Sequence, residues 1–96
     1  MPTYVMLSTL GPDGFATLSE NPERLNQVRG DVEAMGVKVI QQLALLGEYD
    51  FLNIIEAPDE ATMARVATML AARGTMRTHT VTAIPLDQYL KALADS

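Results

Sequence analysis

The strongest constraint on the fold is the order in which two kinds of apolar pattern follow one another along the chain. Four stretches have the β-branched, aromatic or alternating content that is typical of strands, at residues 3–10, 37–46, 50–57 and 75–84. Two segments, residues 22–35 and the one bounded by Asp59 and Gly74, place apolar side chains three and four positions apart, as amphipathic helices do. The chain is therefore predicted to run strand, helix, strand, strand, helix, strand.

Turn and capping residues mark the ends of these elements. The Gly-Pro-Asp-Gly run after the first strand predicts a turn, within a loop over residues 11–21. Asn21 and Pro22 suit the cap and the first position of the first helix. A β-bulge is expected in the second strand, because its apolar residues do not alternate around residues 40–43. Pro85 is expected to open a short last helix.

This element order is the split βαβ, or ferredoxin-like, arrangement, so we predict an α+β fold with an added C-terminal helix. Right-handed crossovers place both main helices on one face of a four-stranded antiparallel sheet, with the first and third strands in the middle. The other face is apolar in either orientation, because Val5 and Leu7 alternate with Tyr4 and Met6. Monomers rarely expose such a face, so we expect a homodimer formed through the sheets, unless the last helix folds back to cover it.

Composition limits the class of protein. The chain has 96 residues, 48% of them hydrophobic and 20% charged, and we expect one domain over residues 1–96. It has no cysteine, which excludes a disulfide scaffold, a thiolate nucleophile and a thiolate metal site. Seven Lys and Arg residues against twelve Asp and Glu residues give a net charge of −5, the wrong sign for binding nucleic acid.

The apolar segments predict the cellular location of the protein. Residues 1–10 have no basic residue ahead of their apolar stretch and do not match a secretory leader. The longest uncharged apolar stretch, residues 39–47, is too short to cross a bilayer. We therefore expect a cytoplasmic protein that does not bind membranes.

Several short runs of residues together resemble one known family. They are Gly47-Glu48-Tyr49-Asp50 between the second and third strands, Thr3-Tyr4, Pro22-Glu23-Arg24, Glu56-Ala57-Pro58-Asp59 and residues 74–80. Over essentially its full length the chain resembles the GYD-domain family of small bacterial and archaeal proteins. The resemblance implies a ferredoxin-like subunit that dimerises through its sheets into a dimeric α+β barrel, and it implies no established reaction.

A more distant likeness is to the effector-binding domain of the leucine-responsive, or feast/famine, regulators. Residues 47–50, the apolar strand after them, the acidic residues that follow and the strand of Arg and Thr resemble that domain. The resemblance implies a dimer that binds small molecules, often amino acids, between its subunits. This chain lacks the DNA-reading helix-turn-helix of those regulators, which suggests a stand-alone sensor.

Three residues are candidates for binding a ligand: Tyr4, Asn53 and His79. His79 is the chain's only histidine and alternates with Arg77 and Val81. It is either a structural or surface residue, or a general base or hydrogen-bond donor at a cavity between subunits. His79 is therefore the candidate catalytic residue, and a metal site built from histidines alone is excluded within one subunit.

Asn53 and Tyr4 carry polar groups in apolar strands. Asn53 interrupts the apolar run of residues 51–55, and a buried amide needs hydrogen-bond partners. It either lines a ligand cavity or pairs across the dimer or with Gln41 or Gln42. The ring and hydroxyl of Tyr4 suit either the cavity or a subunit contact.

Gly47, Tyr49 and Asp50 are interpreted as residues of a structural turn. Glycine permits a positive φ, and the Asp50 carboxylate can accept backbone donors and fix the hairpin. The alternative, a catalytic role for Tyr49 and Asp50, rests only on their position at a turn.

Three functions remain open. The first is a homodimeric module that binds or senses a small molecule in or beside a cavity between subunits, without catalysis. The second is a cofactor-independent oxygenase or isomerase that uses His79 with Asn53 and Tyr4. The third is a purely structural assembly unit. The lack of an acid–base pair and of metal ligands favours the first, with no cofactor.

Overall fold

The computed structural model describes residues 1–74 and 76–95. Within these residues, the strands and helices follow the predicted order, with one helix more than expected after the first strand. The elements are β1 (Thr3–Leu10), α1 (Pro12–Glu20), α2 (Arg24–Glu33), β2 (Lys38–Ala44), β3 (Phe51–Glu56), α3 (Glu60–Ala72), β4 (Met76–Ala83) and α4 (Leu86–Ala94). Residues 75 and 96, the first of the predicted fourth strand and the last of the predicted domain, lie outside the described residues.

The strands form an antiparallel sheet in the order β2-β3-β1-β4, with β1 and β3 in the middle. The predicted ferredoxin-like α+β fold, with a helix after its last strand, is confirmed. In this register Met6 of β1 lies opposite Asn53 of β3 on one side and Thr80 of β4 on the other. The predicted bulge is present, because the register of β2 against β3 shifts between Val39 and Gln41.

The segment after β1 is helical, and the predicted loop over residues 11–21 is wrong. α1 has Gly11 as its N-cap and Pro12 in its first turn. The Phe15 amide donates a hydrogen bond to the Gly11 carbonyl oxygen at 3.1 Å. The fixed φ of proline suits the first turn of a helix as well as a β-turn, so the Gly-Pro-Asp-Gly run begins a helix here.

The boundaries of α2 also differ from the helix predicted over residues 22–35. Asn21 is the C-cap of α1, not the N-cap of α2, which begins only at Arg24. The Arg24 amide donates to the Asn21 carbonyl oxygen at 3.0 Å, so a tight turn joins the two helices. Gly36, with a φ of 98°, then turns the chain towards β2.

The side of the sheet that faces α2 and α3 carries the core, and we call it the helix face. On it, Tyr4, Met6 and Ile55 are only 4%, 3% and 1% exposed. They belong to one apolar cluster with residues of the two helices. The helix residues of that cluster are Val32, Met63, Val66 and Leu70.

The opposite side of the sheet, which we call the open face, is also apolar but much less covered. Its apolar residues are Val5, Leu7, Leu43, Leu52, Ile54 and Val81. All of them are half-buried or exposed, and the exposed fractions of Leu43 and Val81 are 42% and 44%. The open face therefore still has apolar surface that could be removed from water.

The last helix does not cover the open face of its own chain. α4 contains no buried residue. Leu86, Tyr89 and Leu90, which we call the α4 stripe, are 68%, 48% and 54% exposed. The open face and the α4 stripe are therefore both partly uncovered apolar surfaces.

Candidate functional site

Asp50 links the turn of the β2–β3 hairpin to the end of β1. The Leu45 amide donates to the Asp50 carbonyl oxygen at 2.8 Å, which closes the hairpin. The Asp50 amide donates to the Ser8 carbonyl oxygen at 2.8 Å, and Asp50 Oδ2 accepts a hydrogen bond from the Leu10 amide at 2.8 Å. Within the hairpin Gly47 has a φ of 133°, which residues with a side chain rarely adopt.

Tyr49 and His79 bring this hairpin into contact with β4. Their ring centroids are 6.3 Å apart and their ring planes are inclined by 38°. His79 lies opposite Leu7, which puts it on the open face together with Val81. The sequence predicts Tyr49 as a turn residue, with a catalytic role as the alternative, and no local sequence pattern could have revealed its ring contact with a residue 30 positions away.

Tyr4 lies on the helix face, on the other side of the sheet from His79. Its hydroxyl oxygen is buried and has no hydrogen-bond partner among the described residues. Burial raises the pKa of Tyr4 above its usual value, and the charges of Glu60 and Asp59 raise it further. The phenol is therefore a neutral hydrogen-bonding group and is not suited to act as a base.

Asn53 lines a cavity of about 230 Å³ between α2 and the helix face. Its Oδ1 atom is buried and finds no hydrogen-bond partner in the described part of the chain. Gln42 lies opposite Asn53 in the register and also lines the cavity, whereas Gln41 lies opposite Ile54 on the open face. Neither glutamine satisfies Asn53 Oδ1.

The three predicted ligand-binding residues do not share one site within the subunit. Asn53 lines the cavity, Tyr4 lies on the same face of the sheet outside the cavity lining, and His79 lies on the open face. Ligand binding by each of them stays a prediction.

Ser8 and Phe51 line the cavity and were not among the candidate residues. The signal that could have found them is alternation in the strands. Ser8 has the same phase as Met6, and Phe51 has the same phase as Asn53, so all four lie on the helix face.

The described residues form neither a metal site nor a membrane-spanning helix. Over residues 1–74 and 76–95, no group of three or more histidine or carboxylate side chains is placed to hold a metal ion. None of the helices described above has the length and apolar character needed to cross a membrane.

Comparison with known families gives a match over most of the chain. The family described as the GYD domain matches residues 4–93. The chain belongs to the GYD-domain family. The expected resemblance is thus confirmed, and the hairpin with Gly47, Tyr49 and Asp50 lies well inside the matched residues of this GYD domain.

This GYD domain is also similar to a protein of Thermus thermophilus that is named glutamine synthetase and cystathionine beta-lyase binding protein. The two sequences are 48% identical over 94 residues, which cover 97% of this chain and 99% of the relative. The similarity therefore extends over nearly the whole of both sequences.

Two crystal structures resemble the fold. FFRP-DM1 matches with a TM-score of 0.61 at 20% identity, over 88% of this chain and 100% of its own. TTHA0845, also from Thermus thermophilus, matches with a TM-score of 0.57 at 20% identity, over 88% of this chain and 95% of its own. At this identity both likenesses show the fold alone. The first agrees with the expected distant likeness to the feast/famine regulators.

Proposed function

We propose that this GYD domain is a homodimeric binding module that docks onto metabolic enzymes and catalyses no reaction itself. The observation that carries the proposal is the Thermus thermophilus relative, which is named for binding glutamine synthetase and cystathionine beta-lyase and is 48% identical. We extend that class of partner to this chain. The cytoplasmic location expected from the sequence belongs to the same proposal.

The accessible surface supports a dimer. The chain exposes 6319 Å², whereas a folded monomer of 10.4 kDa exposes about 5,400 Å². The difference is close to the roughly 800 Å² that each partner buries in a standard interface. The radius of gyration is 14.7 Å, against about 12.5 Å for a compact domain of this length. In our proposal a second copy covers the open face.

We assign the α4 stripe to the partner enzyme. Amphipathic helices bind other proteins by laying an apolar stripe into a groove. Leu86, Tyr89 and Leu90 form such a stripe, and about half or more of each is exposed. A dimer that pairs through the open faces leaves both α4 stripes free to bind an enzyme.

The surroundings of His79 count against the alternative in which this residue is the general base of an enzyme. A general base needs a group that orients it and a substrate proton within hydrogen-bond reach. The imidazole contacts the Tyr49 ring, and within residues 1–74 and 76–95 it takes part in no hydrogen bond or ion pair. In the proposal, His79 and Tyr49 are therefore contact residues of the dimer interface.

Co-purification with the two enzymes tests the partner proposal. The tagged chain is immobilised and incubated at micromolar concentration with purified glutamine synthetase or purified cystathionine beta-lyase from the same organism. We expect at least one of the two enzymes to be retained. Retention of neither enzyme would overturn the proposal and would favour the purely structural alternative.

A pair of α4 variants tests the docking surface. Leu90→Glu places a charge in the α4 stripe, and we expect it to abolish retention of the enzyme. Gln88→Glu places the same charge on the opposite side of the same helix and should leave retention unchanged. Equal retention by both variants would show that the α4 stripe is not the docking surface.

A further inference from the structure

We propose that the cavity between α2 and the helix face binds a small neutral molecule that has an apolar body and forms one hydrogen bond with the Ser8 hydroxyl. The site lies inside a single subunit and needs neither the dimer nor a partner enzyme. The inference therefore goes beyond the proposed function, and each can fail without the other.

Ser8 is a buried residue whose hydroxyl has no partner in the chain. It is only 3% exposed, and its side chain takes part in no hydrogen bond with the described residues. Its backbone oxygen, in contrast, accepts the hydrogen bond from the Asp50 amide. A hydroxyl that is withdrawn from water without a partner destabilises the folded chain. A ligand that forms a hydrogen bond with this hydroxyl would remove that cost.

The Ser8 hydroxyl faces the cavity and is within reach of a ligand. Ser8 lies on the helix face, in phase with Met6, and lines the cavity. A serine side chain consists only of Cβ and Oγ, so a lining position on this face presents the hydroxyl, which rotates to donate or to accept. Its oxygen is not one of the unpartnered atoms that the chain encloses, whereas Asn53 Oδ1 is. A ligand can therefore reach Ser8 but not Asn53 Oδ1.

Most of the remaining wall of the cavity is apolar. Met6 and Ile55 of the sheet line it together with Val32 of α2 and Leu70 of α3, and none of these four residues is more than 3% exposed. A largely apolar wall with a few placed polar groups is the usual composition of a small-molecule site. The body of the ligand is therefore apolar.

Three other polar residues of the lining are exposed and mark the mouth of the cavity: Asn26, Arg29 and Gln42. The Arg29 guanidinium lies 3.4 Å from the Glu33 carboxylate, so its charge is already balanced. The Asn26 amide nitrogen donates to the Glu23 carboxylate at 2.9 Å. The mouth therefore offers polar contacts to the outer end of a ligand but no unbalanced positive charge, which favours a neutral ligand over an anion.

The volume sets the size of the ligand. The cavity measures about 230 Å³, and an apolar cavity of about 150 Å³ holds one benzene molecule. Scaled from benzene, the cavity has room for roughly nine non-hydrogen atoms. A single ring with one hydroxyl group, or a short branched alcohol or amide, fits this limit.

A matched pair of probes tests the site on the unmodified protein. p-Cresol and p-xylene have the same shape, but only p-cresol has a hydroxyl group. Each is titrated into the ¹⁵N-labelled chain, and the amide signals of α2 are followed by NMR. We expect p-cresol to shift these signals in a saturable way. If p-cresol leaves them unchanged, water alone serves the Ser8 hydroxyl and the proposal is wrong.

Ser8→Ala tests the hydrogen bond. The substitution removes an oxygen that makes no hydrogen bond within the described chain, so the variant should fold. We expect the ratio of the p-cresol affinity to the p-xylene affinity to fall about five- to tenfold, because p-cresol loses a partner and p-xylene no longer buries an unpaired hydroxyl. An unchanged ratio would overturn the assignment of Ser8.

Two further variants serve as controls. Thr80→Val removes another unpartnered hydroxyl of the helix face, one that is enclosed and outside the cavity lining, and should keep the affinity ratio. Val28→Phe adds a ring at a lining position of α2 and should weaken the binding of both probes. Undiminished binding of both probes to Val28→Phe would place them outside the cavity and would overturn the proposal.

Discussion

The Leu10 amide donates a 2.8 Å hydrogen bond to the Asp50 carboxylate, across 40 residues of sequence. The contact joins the last residue of β1 to the residue that precedes β3. Asp50 also donates its own amide to Ser8 and accepts the Leu45 amide with its carbonyl oxygen. One acidic residue therefore satisfies the backbone of both the hairpin and the neighbouring strand end.

The first prediction is that Asp50→Ala destabilises the fold. Loss of the carboxylate leaves the part-buried Leu10 amide without its acceptor, which should lower the free energy of unfolding by about 1–3 kcal/mol. Asp50→Asn keeps a side-chain oxygen, so its free energy of unfolding should fall by less. Glu48→Ala, which removes an exposed acidic residue of the same hairpin, serves as the control in urea denaturation. Equal stability of Asp50→Ala and Glu48→Ala would contradict the structural role of Asp50.

The second prediction concerns two glycines with the same free space but different backbone conformations. An added Cβ meets nothing within 4 Å at Gly47 or at Gly30, but only Gly47 has a positive φ, of 133°. Gly47→Ala should therefore cost more than about 1 kcal/mol through backbone strain alone. Gly30→Ala, inside α2, should instead stabilise the chain by about 0.5–1 kcal/mol. In thermal unfolding, Gly47→Ala should lower the Tm and Gly30→Ala should raise it. An unchanged Tm for Gly47→Ala would contradict the prediction.

Much of the fold could be predicted from local sequence. Strand β1 occupies the predicted residues, and the bulge in β2 follows from the broken alternation around Gln41. α1 could not be predicted in the same way. The fixed φ of Pro12 suits both a β-turn and the first turn of a helix. Only the packing of the residues that follow decides which of the two forms.

The candidate site was harder to predict, because its geometry depends on which face of the sheet the helices cover. The sequence shows that Val5 and Tyr4 point to opposite sides, but both sides are apolar, so alternation does not say which side carries α2 and α3. Because the sequence does not say which side of the sheet the helices cover, it predicts Asn53 and His79 in one cavity. The register of β3 and β4 against β1 separates them.

The third prediction concerns pH and the start of α3. Asp59 caps this helix by accepting a hydrogen bond from the Thr62 amide at 2.7 Å. Hydrogen bonds from Thr62 lower the pKa of the Asp59 carboxyl below its usual value, and Arg65 contributes in the same direction. A lowered pKa stabilises the folded chain above the unfolded pKa of about 4, and this stabilisation is lost as the pH falls through the folded pKa.

Asp59→Ala should therefore have a lower Tm than the unmodified chain at pH 7, and the gap should narrow as the pH falls below about 4. Asp59→Asn keeps the capping oxygen without a titratable charge, so its Tm at pH 7 should be higher than that of Asp59→Ala. Circular dichroism melts between pH 2 and pH 7 provide the measurement. A gap that stays constant over this range would show that the Asp59 charge does not contribute to stability.

The fourth prediction is that the chain forms a dimer through its open face. Light scattering after size exclusion should give twice the chain mass of 10.4 kDa at micromolar concentration. Val81→Arg introduces a charge on the open face at the outer strand β4, where the side chain is 44% exposed and outside the core. The variant should therefore fold, and its mass should fall towards that of a single chain because a buried, unpaired guanidinium opposes association.

Ala64→Arg introduces the same charge at an exposed position of α3, on the other side of the sheet, and should keep the dimer mass. His79 is the only histidine, so its imidazole signals report directly on the open face in NMR spectra. These signals should change on dilution of the unmodified chain and not on dilution of Val81→Arg. A single-chain mass for the unmodified protein would contradict the dimer. A dimeric Val81→Arg would instead place the interface elsewhere, and the α4 stripe would then be the next surface to test, because its apolar side chains are also exposed.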